Sequence, residues 1–279
     1  NMIESDFTFI ITTYRSEKLI DECLKDLPKE INKIIVENSG NENLKTKIEK
    51  KYFNTECFLM PENYGYGKAN NFGILKSKTK YVFIINPDTK VTNKQFKKII
   101  SILNHKDFAI AAPQIVESNK VYKQNNENSD AKQVDQVPGM AMILNKEKFS
   151  NKFFDENFFL YLEEIDLCKR MRNQGEKILE INVELSHLGG QSHGKYDLEM
   201  ENSRNWHWMW SKFYYNKKHY NYIYSFIKTF PNFLSSIVKF LNYRIIGNKE
   251  KSNLYKMRFL GLYNSYMLNK SFYRPYKKN

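Results

Sequence analysis

The chain has 279 residues, of which 41% are hydrophobic and 27% are charged. This balance is typical of a globular protein with a substantial core and argues against a disordered or fibrous chain. The cysteines Cys23, Cys57 and Cys168 are odd in number and lack a C-x-x-C pair, so we expect neither a disulfide framework nor a structural zinc site. No run reaches the roughly 18 apolar residues of a membrane-spanning helix. We expect a cytoplasmic protein, either free or peripheral on the cytoplasmic face of the inner membrane.

Charge is distributed unevenly along the chain. Residues 1–199 carry 29 basic and 29 acidic side chains, whereas residues 200–279 carry 15 basic and two acidic ones, so the whole formal net charge of +13 belongs to the last 80 positions. The same stretch holds 21 of the 42 aromatic residues, including all three tryptophans. We therefore predict two domains, a charge-balanced body at residues 1–199 and a basic, aromatic-rich helical region at residues 200–279.

The first half of the chain alternates short apolar runs with amphipathic stretches. Strands separated by such helices indicate βαβ crossovers, which give a mostly parallel sheet covered on both faces. Ligands of these sheets bind at the carboxyl ends of the strands, so the loops there are the places to look for chemistry. The predicted strands are Phe7–Thr12, Ile31–Val36, Cys57–Met60 and Tyr81–Ile85, and the predicted helices are Glu17–Leu27, Leu44–Tyr52 and Gly67–Leu75.

From about residue 108 the pattern changes. Residues 118–136 are polar and without periodicity, and after Gly194 the chain is helical in pattern, with breaks predicted near Pro231 and Gly247. Further strands are predicted at Phe108–Pro113, Val137–Leu144 and Lys177–Leu185, and a helix within Phe158–Gly175.

The first two loops at predicted strand ends carry polar side chains that also have plainer explanations. Thr12–Arg15 offers hydroxyls and a cation for a nucleotide, yet threonine and serine commonly cap a following helix, and the sequence favours capping. Glu37 can accept hydrogen bonds from a base or a ribose, or it can belong to a turn with Asn38 and Gly40.

The next two loops suit an anionic or hydroxyl-rich ligand. Glycines and amides between Asn63 and Gly73 open a helix, although the dinucleotide fingerprint fails at Asn70 and no P-loop follows. Asp88 follows an apolar strand within Asn86–Thr89, which makes it a suitable ligand for Mg²⁺ or Mn²⁺. A type I turn with proline at its second position is the plainer alternative for this loop.

Two later clusters hold candidates for acid–base chemistry. Three carboxylates stand within Glu163–Asp166 among large apolar residues, where desolvation raises a carboxyl pKa toward that of a general base. Asp166 faces Arg170 at i+4 on a helix, so we expect it to be at least partly structural. His187 and His193 lie in a glycine-rich stretch after a strand, where a structural role and contact with substrate are equally reasonable.

The polar motifs follow one another in a characteristic order over roughly residues 6–195. They are Thr13-Tyr14-Arg15, Asn63-Tyr64-Gly65-Tyr66-Gly67 with Asn70-Asn71-Phe72-Gly73, Asn86-Pro87-Asp88-Thr89, Gly139-Met140-Ala141-Met142, the run from Phe159 to Leu167, and His187 with Gly189-Gly190. This order resembles the family 2 glycosyltransferases of GT-A fold, nearest to their bacterial rhamnosyltransferase-like branch.

The resemblance implies a fold, an activity and partners. The fold is α/β and Rossmann-like, with a mostly parallel central sheet, flanking helices and a C-terminal helical region. The activity is inverting, metal-dependent hexosyl transfer from a nucleotide-diphosphate sugar, such as a UDP- or dTDP-sugar, to a hydroxyl group. A glycan or lipid-linked acceptor in bacterial surface polysaccharide synthesis is the setting that the resemblance implies.

The resemblance also implies roles for individual residues. Glu164 falls on the position of the family's catalytic aspartate and would deprotonate the acceptor, with Glu163 as the alternative and Asp166 nearby. Asp88 would bind Mn²⁺ or Mg²⁺, and His187 would be a second ligand for the metal or the diphosphate. Glu37 departs from the aspartate that is more usual at its position. The donor-binding residues would be Thr12, Tyr14, Arg15, Glu37, Asn63, Gly67, Asn70, Asn86 and Asp88, and the acceptor or sugar region would include Gly139, Met140 and His193.

Three other functions account for parts of the sequence. A nucleic-acid-binding protein would use the basic, aromatic region, but the carboxylate-rich loops would repel phosphates, so we expect no nucleic-acid partner. A glycosyltransferase-like fold that has lost catalysis would serve as a binding protein. A nucleotidyltransferase would usually show a glycine-rich basic loop after its first strand, and Thr12–Ser16 is not one.

The basic region contains two apolar repeats with helical spacing. Ile223-Phe226-Ile227-Phe230 and Leu234-Ile237-Val238-Leu241 are most simply faces packed on the body of the protein. The tyrosines and lysines around them also suit the surface of an anionic bilayer. We expect both arrangements, with some helices packed and the basic faces meeting a membrane or a lipid-linked acceptor.

Overall fold

The computed structural model describes residues 2–117, 129–187 and 197–276, and these form two compact units. Residues 2–117, 129–155 and 164–187 make up the first, called the sheet unit here, and residues 156–163 and 197–276 make up the second, the helical unit. The short segment 156–163 therefore belongs with the C-terminal helices, although it precedes them by more than 30 positions. His193, Gly189, Gly190 and residues 118–128 of the polar stretch lie outside the described residues.

The sheet unit is built on a mixed sheet of nine strands. Its order is β3-β2-β1-β4-β8-β6-β9-β5, with β7 paired to β9. Six of the nine strands run in the same direction, whereas β8 runs antiparallel to its neighbours β4 and β6, and β5 and β7 run antiparallel to β9. The strands are β1 (Phe7–Thr13), β2 (Asn32–Glu37), β3 (Thr55–Leu59), β4 (Tyr81–Ile85), β5 (Thr89–Lys90), β6 (Ile110–Glu117), β7 (Ala131–Gln133), β8 (Ala141–Asn145) and β9 (Ile178–His187).

Five helices accompany these strands. They are α1 (Glu17–Asp26), α2 (Glu42–Lys51), α3 (Gly65–Lys76), α4 (Asn93–Leu103) and α5 (Glu163–Asn173). Apolar residues of β1 and β4 are buried on both faces of the sheet, which is why these strands have nearly continuous hydrophobic sequences. On one face Phe7, Phe9 and Phe83 pack around Phe96 of α4, with ring centroids 5.1–6.4 Å apart.

The predicted α/β fold is confirmed, with two local corrections. The sequence interpretation omitted α4, although Thr92 and Gln95 form a capping box at its start and apolar residues recur at helical spacing behind it. The strand predicted at Val137–Leu144 begins only at Ala141, because Pro138 and Gly139 precede it in a loop.

The helical unit consists of three long helices and the segment 156–163. The helices are α6 (Leu198–His219), α7 (Tyr222–Ile245) and α8 (Lys249–Tyr266). The predicted break at Pro231 is wrong, since α7 continues through it. Pro231 lies on the exposed side of α7, where water can take the place of the backbone donor that proline lacks. The break at Gly247 is confirmed, and this glycine has the left-handed φ of +78° that ends many helices.

Candidate active site

The predicted donor-binding loops lie at one edge of the sheet. Thr12 is close to the end of β1, Glu37 ends β2, and Asn86 follows β4. Because β1 pairs in parallel with both β2 and β4, these three positions meet at the carboxyl ends of neighbouring strands. The strand order reverses next to β1, and this is where open α/β sheets bind their ligands.

A chain of hydrogen bonds joins the end of β1 to α3 and then to Gly139. The Thr12 hydroxyl donates to Oδ1 of Asn70 at 3.0 Å, and Nδ2 of Asn70 donates to the Tyr66 carbonyl at 3.0 Å. The Tyr66 hydroxyl donates in turn to the carbonyl of Gly139. Thr12 is therefore part of the site framework, and the expectation that it caps a helix is wrong, because Ser16 is the residue at the N-cap of α1.

The framework extends from the residue after Gly139 to the loop after β4. The Met140 carbonyl accepts hydrogen bonds from the Asn86 amide at 3.0 Å and from the Thr89 hydroxyl at 3.3 Å. The Thr89 amide closes a turn on the Asn86 carbonyl at 3.0 Å. The turn that was the plainer alternative for Asn86–Thr89 is thus present, and it fixes the backbone that carries Asp88.

Asp88 and His187 are close together along the paired strands. Thr89, the residue after Asp88, is the Cα partner of His187 across β5 and β9. Asp88 is buried, at 4% exposure. The Asp88 carboxylate and the Asn86 amide oxygen are donors that suit Mn²⁺ or Mg²⁺, and histidine, the residue type at position 187, also binds such ions. These residue types fit a divalent cation.

The described part of the chain contains no cluster of three or more His, Cys, Asp or Glu side chains that could hold a metal. For His187 only the backbone is described.

Glu164 lies beside the Gly139 end of the framework. A Cβ atom placed on Gly139 would be 3.4 Å from Glu164 Cβ and 3.4 Å from the Tyr66 hydroxyl, so the glycine lets these groups come together. Burial raises the pKa of Glu164, while hydrogen bonds with its own amide and that of Ile165 oppose the increase. A raised carboxyl pKa is what a general base needs to work near neutral pH.

The other two carboxylates of the cluster have different surroundings. Glu163 is buried at the first position of α5. Asp166 is fully buried and accepts a hydrogen bond from Nε of Arg170 at 2.8 Å, which confirms the predicted i,i+4 pair. The Arg170 guanidinium also donates to the backbone carbonyls of Lys152 and Phe153. Asp166 thereby helps Arg170 to hold the loop that contains Lys152 and Phe153, which is a structural role.

The loop at residues 152–154 is also held from α3. Nδ2 of Asn71 donates to the Phe154 carbonyl at 2.9 Å, and Oδ1 of Asn71 accepts from the Phe154 amide at 2.9 Å. Further along α3, a Cβ atom on Gly73 would be 2.6 Å from Cγ2 of Ile10 in β1. The helix can therefore pack this close to the sheet only with glycine at that position.

The Glu37 carboxylate stabilises the turn after β2. It is fully buried and accepts hydrogen bonds from the Ser39 amide and hydroxyl and from the Asn41 amide. The adjacent Asn38 donates to the Gly65 carbonyl at 3.4 Å and so ties this turn to the start of α3. Glu37 therefore shapes this turn at the edge of the sheet where the predicted donor-binding loops lie.

The remaining donor candidates lie on the loops before α1 and α3. Arg15 is exposed with a left-handed φ of +53°, a conformation that non-glycine residues often adopt at functional sites. Its guanidinium is 5.9 Å from the ring centroid of Tyr14. Oδ1 of Asn63 accepts from the Gly65 amide at 3.0 Å, and Gly67 is buried in the first turn of α3.

Two features of the site were not predicted. Tyr66 was noted only as part of a motif, yet its hydroxyl connects α3 to Gly139. Tyr161 and Leu162, directly before α5, both have left-handed backbones with φ of +72° and +69°. Neither residue type predicts this conformation, which costs energy and occurs where surrounding contacts impose it.

Contacts within the helical unit hold the strained residues in place. The Ser211 hydroxyl donates to the Leu160 carbonyl at 2.8 Å, and the rings of Tyr161 and Trp208 meet edge to face at 5.5 Å. Burial raises the pKa of Tyr161 to about 12, so this phenol stays protonated at neutral pH. The helices thus fix the segment that leads directly into Glu163.

The site and sheet define the class of this protein. The sequence model of Glycosyl transferase family 2 matches residues 8–168, more than half of the chain. The chain belongs to this family and has the GT-A fold, with a C-terminal helical region.

Particular relatives resemble it more distantly. The low-salt glycan biosynthesis hexosyltransferase Agl10 of Haloferax volcanii is 22% identical over 202 residues, and the match covers 64% of this chain but only 65% of that protein. Among solved structures, TarS 1–349 of S. aureus superposes with a TM-score of 0.57 at 14% identity, covering 96% of this chain and 93% of that one. The mannosyltransferase PcManGT of Pyrobaculum calidifontis, in complex with GDP-Man and Mn²⁺, superposes with a TM-score of 0.56 at 10% identity and covers 95% and 88%.

Proposed function

We propose that this protein transfers a hexose, with inversion, from a nucleotide-diphosphate sugar to an acceptor hydroxyl group. The observation that carries the proposal is the continuous framework from Thr12 through Asn70 and Tyr66 to Gly139, with Glu164 beside its far end. It brings a predicted donor pocket and a desolvated carboxylate into one site. The hexosyltransferase name of the Agl10 relative supports the class of sugar.

Glu164 is the proposed general base. Its carboxylate takes the proton of the acceptor hydroxyl while that oxygen attacks the anomeric carbon. The bond from this carbon to the diphosphate breaks on the opposite face, and the nucleoside diphosphate leaves with the electron pair. One displacement of this kind inverts the anomeric configuration, as in-line attack requires.

Asp88, Asn86 and His187 are the proposed residues for a divalent cation. When bound, such an ion neutralises the charge that develops on the leaving diphosphate. The PcManGT structure contains Mn²⁺ and GDP-Man, and TarS 1–349 has also been crystallised with UDP-GlcNAc. These neighbours support nucleotide sugars as donors. We further propose a glycan or lipid-linked acceptor in bacterial surface polysaccharide synthesis.

A transfer assay tests this function. UDP-, dTDP- and GDP-linked hexoses, including dTDP-rhamnose, would be incubated with the full chain and a panel of short glycosides, with Mn²⁺, Mg²⁺ or EDTA. We expect one donor to be consumed only with metal and the anomeric configuration of the product to be inverted by NMR. Glu164→Gln should lower kcat by about 10²–10⁴-fold with little change in KM.

Control variants separate the roles of the residues. Glu56→Gln, a change at an exposed glutamate of β3, should leave kcat unaltered, whereas Asp88→Asn should raise the metal concentration needed for half-maximal rate. Full activity of Glu164→Gln would refute the assignment of the base. Donor binding without turnover by the wild-type chain would identify a binding protein instead.

A further inference from the structure

Helix α7 presents a continuous apolar stripe to solvent. The side chains of the stripe are all exposed, from 37% at Phe230 to 83% at Ile245. Within the helical unit, this face of α7 is therefore left uncovered by the neighbouring helices. The stripe consists of Ile223, Ile227, Phe230, Leu234, Val238, Leu241 and Ile245.

The stripe follows one face of the helix. Its members are three or four residues apart, so they line up along α7 over about 33 Å at 1.5 Å per residue. The opposite face is the one that packs within the helical unit. There the buried Ser225 donates to the Phe213 carbonyl at 2.7 Å, and the buried Thr229 hydroxyl is 3.0 Å from the hydroxyl of Tyr266.

The polar residues flanking the stripe are basic and aromatic. Helix α7 contains no Asp or Glu but has Lys228, Lys239 and Arg244, all exposed. Nζ of Lys228 is 5.3 Å from the ring centroid of Tyr224, and Nζ of Lys239 is 5.1 Å from that of Tyr255. Long basic side chains alongside tyrosines are typical of helices at a membrane–water interface.

We infer that α7 is a docking helix for the surface of an anionic lipid bilayer. Its apolar stripe would enter the boundary between headgroups and acyl chains, with Lys228, Lys239 and Arg244 among the lipid phosphates. Each basic side chain near such a surface adds to the electrostatic attraction. In the part of the chain that the structure describes, no helix is long and apolar enough to cross a membrane.

Charge favours lipid over a second copy of the chain as the occupant. Two copies joined through this face would bring their basic flanks together, with no acidic residue of α7 to offset the repulsion. The surrounding region has the same excess of basic over acidic side chains, since residues 200–279 carry 15 basic and two acidic ones. An anionic bilayer complements both the stripe and its flanks.

Vesicle co-sedimentation tests the inference without any sugar donor. The full chain would be mixed with vesicles of phosphatidylcholine alone or of equimolar phosphatidylcholine and phosphatidylglycerol. We expect binding to the anionic vesicles only, weakened by added salt. The double variant Ile227→Glu/Leu234→Glu should lower this binding at least tenfold, and Lys228→Glu/Lys239→Glu should lower it as well.

The matched control is Leu75→Glu, the same change at an exposed leucine of α3, and it should bind like the wild type. Serine replacements at positions 227 and 234 provide a second variant if the glutamates impair folding, which circular dichroism would reveal. Equal binding to neutral and anionic vesicles, or unchanged binding of the stripe variants, would overturn the inference. So would a dimer in solution that the stripe variants dissociate.

These results are distinct from those that bear on sugar transfer. The stripe variants should keep wild-type transfer to a short acceptor, because none of the substituted residues belongs to the sheet unit. A chain that binds vesicles but transfers no sugar would leave this inference standing and refute the proposed function.

Discussion

At the scale of single residues, burial has different consequences for two of the three carboxylates on α5. Asp166 has the Arg170 guanidinium 2.8 Å away to balance its charge. Glu164 is desolvated beside Gly139, and its pKa is raised. A raised folded-state pKa means that the folded protein binds the proton more tightly than the unfolded chain does, so ionised Glu164 lowers stability at neutral pH.

Glu164→Gln should therefore stabilise the fold while removing the proposed base. Because the ionised carboxylate is disfavoured in the folded state, we expect a gain in stability at pH 7. The gain should vanish below about pH 4.3, where glutamate is protonated in both states. Urea denaturation followed by far-UV circular dichroism at several pH values measures it.

Asp166→Asn provides the contrast. It leaves the Arg170 cation without its carboxylate partner, and loss of one member of a buried pair costs about 3 kcal/mol. The same urea experiment should show this variant less stable than wild type at pH 7. If Glu164→Gln were destabilising to a similar extent, the Glu164 carboxylate would be a structural group and not a desolvated base.

At the scale of elements, α6 and α8 pack at backbone distance. A Cβ atom on Gly261 of α8 would overlap the backbone carbonyl oxygen of Trp206 in α6. Glycine is otherwise a poor residue for the interior of a helix, by about 1 kcal/mol relative to alanine. Its presence here follows from the close approach of the two helices.

Gly261→Ala should destabilise the helical unit in spite of better helix propensity. Overpacking of this kind costs about 1–3 kcal/mol or more, and backbone atoms cannot move aside as a flexible side chain can. Since all three tryptophans lie on α6, tryptophan fluorescence during urea denaturation reports on this unit. A variant as stable as the wild type would show that the helices can separate at no cost.

Elements with a strong local signal were predictable from sequence, and those fixed by tertiary contacts were not. The runs of β1, β2 and β4 are apolar because both faces of the sheet are covered, so periodicity located them. The continuation of α7 through Pro231 depends on which face of the helix meets water. The link from Tyr66 to Gly139 joins residues more than 70 positions apart, and no local pattern indicates it.

At the scale of the whole molecule, the helical unit has a buried face and an exposed face, which its basic composition alone did not distinguish. Its buried face holds residues 156–163. Its exposed face presents the α7 stripe. Most of the excess charge therefore belongs to the helical unit, whereas the proposed chemistry lies in the sheet unit.

The two units should also respond differently to acid. His207 in the helical unit is fully buried, its Nε2 is 2.8 Å from the Tyr273 carbonyl, and its ring packs on Phe159 at 4.5 Å. Burial lowers the pKa of His207 to about 3, below its value of about 6.5 in an unfolded chain. In the sheet unit, the pKa of Asp21 is lowered to about 2 by Lys51. The stabilisation that the ionised Asp21 gives is lost only as the pH falls below about 4.

The helical unit should therefore lose stability between pH 6.5 and 4.5, where the unfolded chain binds a proton at His207 and the folded chain does not. The loss is about 1.4 kcal/mol per pH unit, measured as the urea midpoint of tryptophan fluorescence. His207→Gln, whose amide can still donate to the Tyr273 carbonyl, should flatten this dependence, whereas His105→Gln at an exposed position should not. An unchanged pH dependence in His207→Gln would show that another group controls the acid response.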